Sequence, residues 1–166
     1  MTGRFLAIWV ILTLLLSGPA VADDKVGSGD RLAMMKKMQG NWQTDCEMKS
    51  RAGATVFEQT VLYISFTHLR FTTTRYANRD CSLKLREDRT RYAYTLGEPA
   101  ALEVGARQVF ELNIKAPEED PGVLRIALQN LVAFEDGQLL LGLRRAGDDL
   151  NTRVTQLDLR SPYRRY

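Results

Sequence analysis

The sequence predicts an all-β domain, an antiparallel, up-and-down barrel of eight strands preceded by one short N-terminal helix. Three observations predict it. Beyond residue 40, apolar and polar residues alternate in most segments, as they do in strands with one packed face and one wetted face. No helical stretches alternate with those segments, so nothing supplies the crossovers of a parallel sheet. The chain has 166 residues, and about 144 remain after an N-terminal export signal, which suits one domain with a single core. An eight-stranded antiparallel sheet can close on itself and so remove its edges.

The elements follow in order. Met1 to Arg4 form a short basic head, and Phe5 to Leu16 an apolar run. Ser17-Gly18-Pro19 then breaks it, and Ala20-Val21-Ala22 has the small-x-small pattern cut by signal peptidase. The run falls short of the roughly 20 apolar residues of a spanning helix. Residues 1–22 therefore read as a cleaved signal peptide, not a stable membrane anchor, and the mature protein is expected to be periplasmic or secreted. Residues 23–29 (DDKVGSG) read as a flexible lead-in, and 30–166 as the barrel domain. Asp30 is placed to cap a helix over Arg31 to Gln39, and Gly40 to end it. Leu32, Met35 and Met38 give that helix an apolar face.

Asn41 to Met48 is the first strand, with Trp42, Thr44, Cys46 and Met48 on one side. Val56 to Phe66 is β-branched and aromatic but apolar on both faces, which leaves its inward side open. Thr67-His68 forms a turn before the strand Leu69 to Ala77, and Asn78 to Ser82 is a second turn carrying Cys81. Later strands alternate cleanly: Tyr92, Tyr94 and Leu96, then Phe110, Leu112 and Ile114. Leu124, Ile126 and Leu128 form a sixth strand that also reads as a helix. Leu139, Leu141 and Leu143 follow a hairpin turn at Glu135-Asp136-Gly137. Thr155, Leu157 and Leu159, opposite Val154, Gln156 and Asp158, make the eighth.

Export makes a Cys46–Cys81 disulfide the expected state of the two cysteines. They stand 35 residues apart, and closing such a loop stabilises by roughly 3–4 kcal/mol on the entropic model. Catalytic chemistry is poorly supplied. The single histidine, His68, lies at a hairpin tip with no nucleophile at a telling spacing. Glu118-Glu119-Asp120 and Asp148-Asp149 read as solvated turns. No metal set, cofactor motif or phosphate-cradling glycine loop is present, so the chain is not expected to be an enzyme.

The net charge is only +3, from 23 basic and 20 acidic residues, which argues against nucleic-acid binding. Basic residues do gather from Arg70 to Arg91 (Arg70, Arg75, Arg79, Lys84, Arg86, Arg89 and Arg91), for a local excess of +4 over Asp80, Glu87 and Asp88. That strip is either a solvated outer face or a patch that steers an anionic partner.

Gly40-Asn41-Trp42, standing between a short helix and the first strand, resembles the lipocalin-like or calycin barrels, in which a G-x-W opens the first strand. The resemblance implies that Trp42 packs across the closed end of the barrel beneath a late arginine, with Arg144, Arg145, Arg153 and Arg160 as candidates. A wider pattern is similar to a group of small secreted bacterial proteins. It comprises the G-x-W-x-x-x-C opening, a Thr-rich hairpin from Ile64 to Tyr76 reaching Cys81, Arg91 to Gly97, and the QLDLRSPY ending. No established activity comes with it.

Two functions follow as expectations. In one, the barrel holds a small apolar or amphipathic ligand against Tyr92, Tyr94, Phe110, Leu112 and Ile114, residues that equally read as core if the barrel is filled. In the other, a filled barrel binds an exported protein partner through Lys49 to Thr55, Ala116 to Gly122 and the basic strip.

Overall fold

Gly40 marks the change from helix to strand. Its φ of +116° lies where side chains other than glycine's are strained. A computed structural model describes residues 28–51, 53–100, 108–115, 128–144, 148–149 and 152–166; the signal segment, most of the lead-in and the Glu118-Glu119-Asp120 turn lie outside these. Helix α1 (Ser28–Met38) is followed by nine strands: β1 (Gly40–Gln43), β2 (Glu47–Arg51), β3 (Ala54–Ile64), β4 (His68–Tyr76), β5 (Lys84–Ala100), β6 (Val109–Lys115), β7 (Leu128–Glu135), β8 (Gln138–Leu141) and β9 (Tyr163–Arg165). Neighbours in sequence pair antiparallel from β3 to β9, and β1 pairs with both β9 and β3. The ring thus closes with eight strand positions, because β2 continues the line of β1 along β3.

Between β1 and β2 the register shifts. Trp42 faces Leu62, and Thr44 bonds Thr60 through both backbone and hydroxyl, but Glu47 faces Glu58. One extra residue is therefore inserted at Asp45–Cys46, a bulge that exchanges the two faces of the strand beyond it. The expected common face of Trp42, Thr44, Cys46 and Met48 breaks there. Met48 is 71% exposed, while Glu47 and Lys49 take the inward side. Cys46, at the bulge, is bonded to Cys81 in the β4–β5 turn, with Cα atoms 6.0 Å apart, as expected.

Three other expectations are corrected. The helix starts at Ser28, not Arg31, so Asp30 lies in its first turn. It buries Met34 and Met38, one turn apart, and leaves Leu32 49% exposed. The strand before the Asp136-Gly137 turn is Leu128–Glu135; Leu124 and Ile126 lie outside the described residues. Asp136 and Gly137 have φ of 49° and 76°, the conformation of a two-residue hairpin that follows strand twist. The closing strand is Tyr163–Arg165, not 154–159. Val154 and Leu157 instead pack outside the wall against Val109, Leu131, Ala133 and Leu140. Arg153 pins that segment by donating to Asn130 O (2.9 Å) and Asn113 Oδ1 (2.8 Å), and it pairs with Glu111 at 3.1 Å.

The helix end of the barrel is sealed. Fully buried Trp42 donates from Nε1 to Met38 O at 2.6 Å and meets Phe134 edge-on. The arginine over its ring is Arg165, 4.8 Å from the ring centre, and none of the expected candidates. Arg165 is the cross-strand partner of Trp42 in β9, and it also donates to Lys37 O at the helix C-terminus, where a cation is favoured. Of the candidates, Arg144 and Arg153 brace the 152–157 segment, the Arg160 side chain is exposed, and Arg145 is outside the described residues.

Candidate functional site

Strand alternation, anchored by buried Leu62, Ile64, Leu69, Phe110, Leu112, Val132 and Leu139, decides which side chains enter the barrel. Near the helix end these are apolar and close-packed. At the other end the inward positions are charged. Glu58, only 6% exposed, accepts from Arg75 Nε at 3.0 Å. Arg75 also approaches Asp88 (3.6 Å), which binds Arg86 (2.7 Å). Lys49 pairs with Glu47 at 2.5 Å, and Ser161 Oγ donates to the same carboxylate. A carboxylate as buried as Glu58 needs such partners to remain ionised.

Between these two ends lies a recess of about 210 Å³. Its apolar wall comes from Phe71, Tyr92, Ile114, Leu128, Leu141 and Tyr163, and its polar groups from Asn130, Asp158 and Ser161. Of the residues expected to line a ligand site, Tyr92 and Ile114 border this recess. Tyr94, Phe110 and Leu112 belong to the packed core instead, and the Tyr94 hydroxyl donates to Ser65 O at 2.9 Å. Phe71 and Leu141 lie on strands recognised in the sequence. Asn130 lies beyond the expected 124–128 strand, and Ser161 and Tyr163 lie beyond the expected closing strand, while Asp158 falls on the polar face of that strand, so the sequence marks none of them as lining.

Backbone detail shapes the recess. At Gly142 a Cβ would come within 2.1 Å of Asn130 Oδ1 and 2.2 Å of Val154 Cγ2, so the wall closes there only without a side chain. Asp158 Oδ1 accepts the backbone N–H groups of Arg160 (3.0 Å) and Ser161 (3.3 Å), which folds the chain back towards β9. Burial, then the carboxylates of Glu47 and Asp158, push the Tyr163 phenol above its ordinary pKa. Burial alone pushes up that of Tyr94. Beyond the recess, a wider opening runs between β2 and residues 156–161, lined by Glu47, Lys49, Leu143 and Arg160 among others.

The basic strip is divided by the same alternation. Arg75 and Arg86 turn inward into the ion pairs above. Arg70, Arg89 and Arg91 lie on the outer face, where Arg70 and Arg91 are direct cross-strand partners and Arg70 stacks on Tyr63 at 5.2 Å. Among the described residues, no group of three or more His, Cys, Asp or Glu side chains lies together in a way that could hold a metal ion. His68 opens β4, its ring nitrogen bonded to Thr67. Comparison with protein-family models, with curated proteins and with solved structures gives no match.

Proposed function

We propose that this protein is an exported, lipocalin-like binding protein that holds a small ligand in the barrel recess. The recess carries this reading: an apolar, aromatic wall with a few convergent polar groups is the composition of small-molecule sites. Its volume limits the ligand. An apolar cavity of about 150 Å³ accommodates benzene, so about 210 Å³ takes one ring or a short chain with a polar head. The signal-like residues 1–22, together with a disulfide between the two cysteines, support export to an oxidising compartment. The G-x-W beneath Arg165 supports the calycin likeness.

The test is native mass spectrometry of the exported protein, paired with amide chemical-shift mapping against phenol. A small molecule released on denaturation, or shifts confined to Phe71, Tyr92, Ile114 and Leu141, is the expected result. An empty barrel whose recess residues do not respond to a ring-sized probe overturns it.

A second reading rests on a different observation. Like charges directly opposite in a sheet cost stability, yet Arg70 and Arg91 face each other beside exposed Tyr63. Arginine and tyrosine are enriched in interface hot spots, so this outer face supports binding of an acidic exported protein. Retention of such a partner by wild type, and its loss on Arg70→Glu, favours that reading.

A further inference from the structure

We propose that the recess selects a small organic cation, an amine or quaternary ammonium group on a ring-sized body. This rests on the ligand-binding reading above and narrows it to one chemical class. The first argument is charge. Among the described residues that line the recess, Asp158 is the one acidic residue, and none is basic. Two charged groups bond to lining residues without lining the recess: Glu47 accepts from Ser161 Oγ, and Arg153, engaged with Glu111 on the outer side of the wall, donates to the Asn130 backbone O. Lys49 binds the same oxygen of that carboxylate, Glu47 Oε2, at 2.5 Å, so the pair adds no net charge beside the recess.

The second argument is the wall. Three aromatic residues, Phe71, Tyr92 and Tyr163, line the same small volume as Asp158. Phe71 and Tyr92 meet edge to face, with ring centres 6.1 Å apart, which fixes both rings. Aromatic faces attract cations, most strongly where water is excluded. A carboxylate or phosphate head would instead sit beside Asp158, unpaired and partly desolvated, an arrangement that binding sites avoid. A neutral ligand fits the wall but leaves the Asp158 charge unused.

The experiment uses the disulfide-intact mature protein and three probes of nearly equal shape at pH 7: benzylamine, benzyl alcohol and benzoate. Titration calorimetry is expected to rank benzylamine about tenfold or more above benzyl alcohol, with benzoate binding undetected. Asp158→Asn retains the side-chain oxygen that accepts the two backbone N–H groups. It should bring the two remaining affinities within about twofold of each other by removing the charge contact. Benzyl alcohol binding as tightly as benzylamine to wild type, or benzoate binding tightest, overturns the cation assignment and leaves the recess reading standing. Failure of all three probes overturns both. The wild-type ranking decides the matter even if Asp158→Asn does not fold.

Discussion

The two halves of the barrel are built from the same strands, yet one is solid and the other hollow. At the helix end, β1 pairs on both sides, with β3 and with β9, and Trp42, Leu62 and Leu139 are fully buried. Further up, the wall loses its regular partners. β8 has only four residues and β9 only three, and above Leu141 their place is taken by single contacts, such as Asp158 N–H to Leu141 O and Leu143 N–H to Gln156 O. Packing follows pairing. Where eight strand positions are filled, side chains meet across the interior; where two run short, a recess remains.

Substitutions at matched places sharpen this contrast. Trp42→Ala should have the largest effect, a loss of about 3–5 kcal/mol measured by denaturant unfolding, because the indole is the centre of the sealed end. A smaller loss than for an ordinary surface change would mean that the helix end is not the solid half. Leu139→Phe and Leu141→Phe come next, since the two residues sit two apart on one strand. Enlarging Leu139 should cost about 1–3 kcal/mol through overpacking. Leu141→Phe should cost under about 1 kcal/mol, by filling space already present, and abolish phenol binding. Equal costs would break the comparison.

The smallest effect is at high pH. The Tyr163 phenol is held above its ordinary pKa, so the unfolded chain ionises first. Its stabilisation is complete below the unfolded value of about 10 and is lost as pH rises from there towards the folded value. Tyr163→Phe should flatten the alkaline fall in unfolding free energy, with Tyr94 leaving a residual slope. An unchanged pH profile would place Tyr163 outside the buried wall.

Much of the frame was legible because period-two patterns and turn chemistry are local. The hairpin at Asp136-Gly137 and the strands around Leu69, Tyr94 and Leu112 follow from short stretches, the Cys46–Cys81 link from a chain with two cysteines and an export signal, and the position of Trp42 from the G-x-W resemblance. The failures are those of longer range. Leu157 alternates as well as any strand residue, but its apolar face is satisfied outside the barrel by Leu131 and Leu140, and no local pattern distinguishes inner from outer cover. Arg165 lies at the chain's end with no sequence link to Trp42, and only ring closure brings them together. The recess was half legible. Tyr92 and Ile114 announce themselves by alternation, whereas Asp158 and Tyr163 reach the same space only through the irregular return of the chain.

A single inserted amino acid at Asp45–Cys46 decides the chemistry of the barrel's entrance. If the register of Trp42 and Thr44 instead ran on with no extra residue there, Met48 would face Val56 on the inward side, and Glu47 and Lys49 would turn out to water. The doorway would change from an ionic gate to a greasy one, and what it admits would change with it.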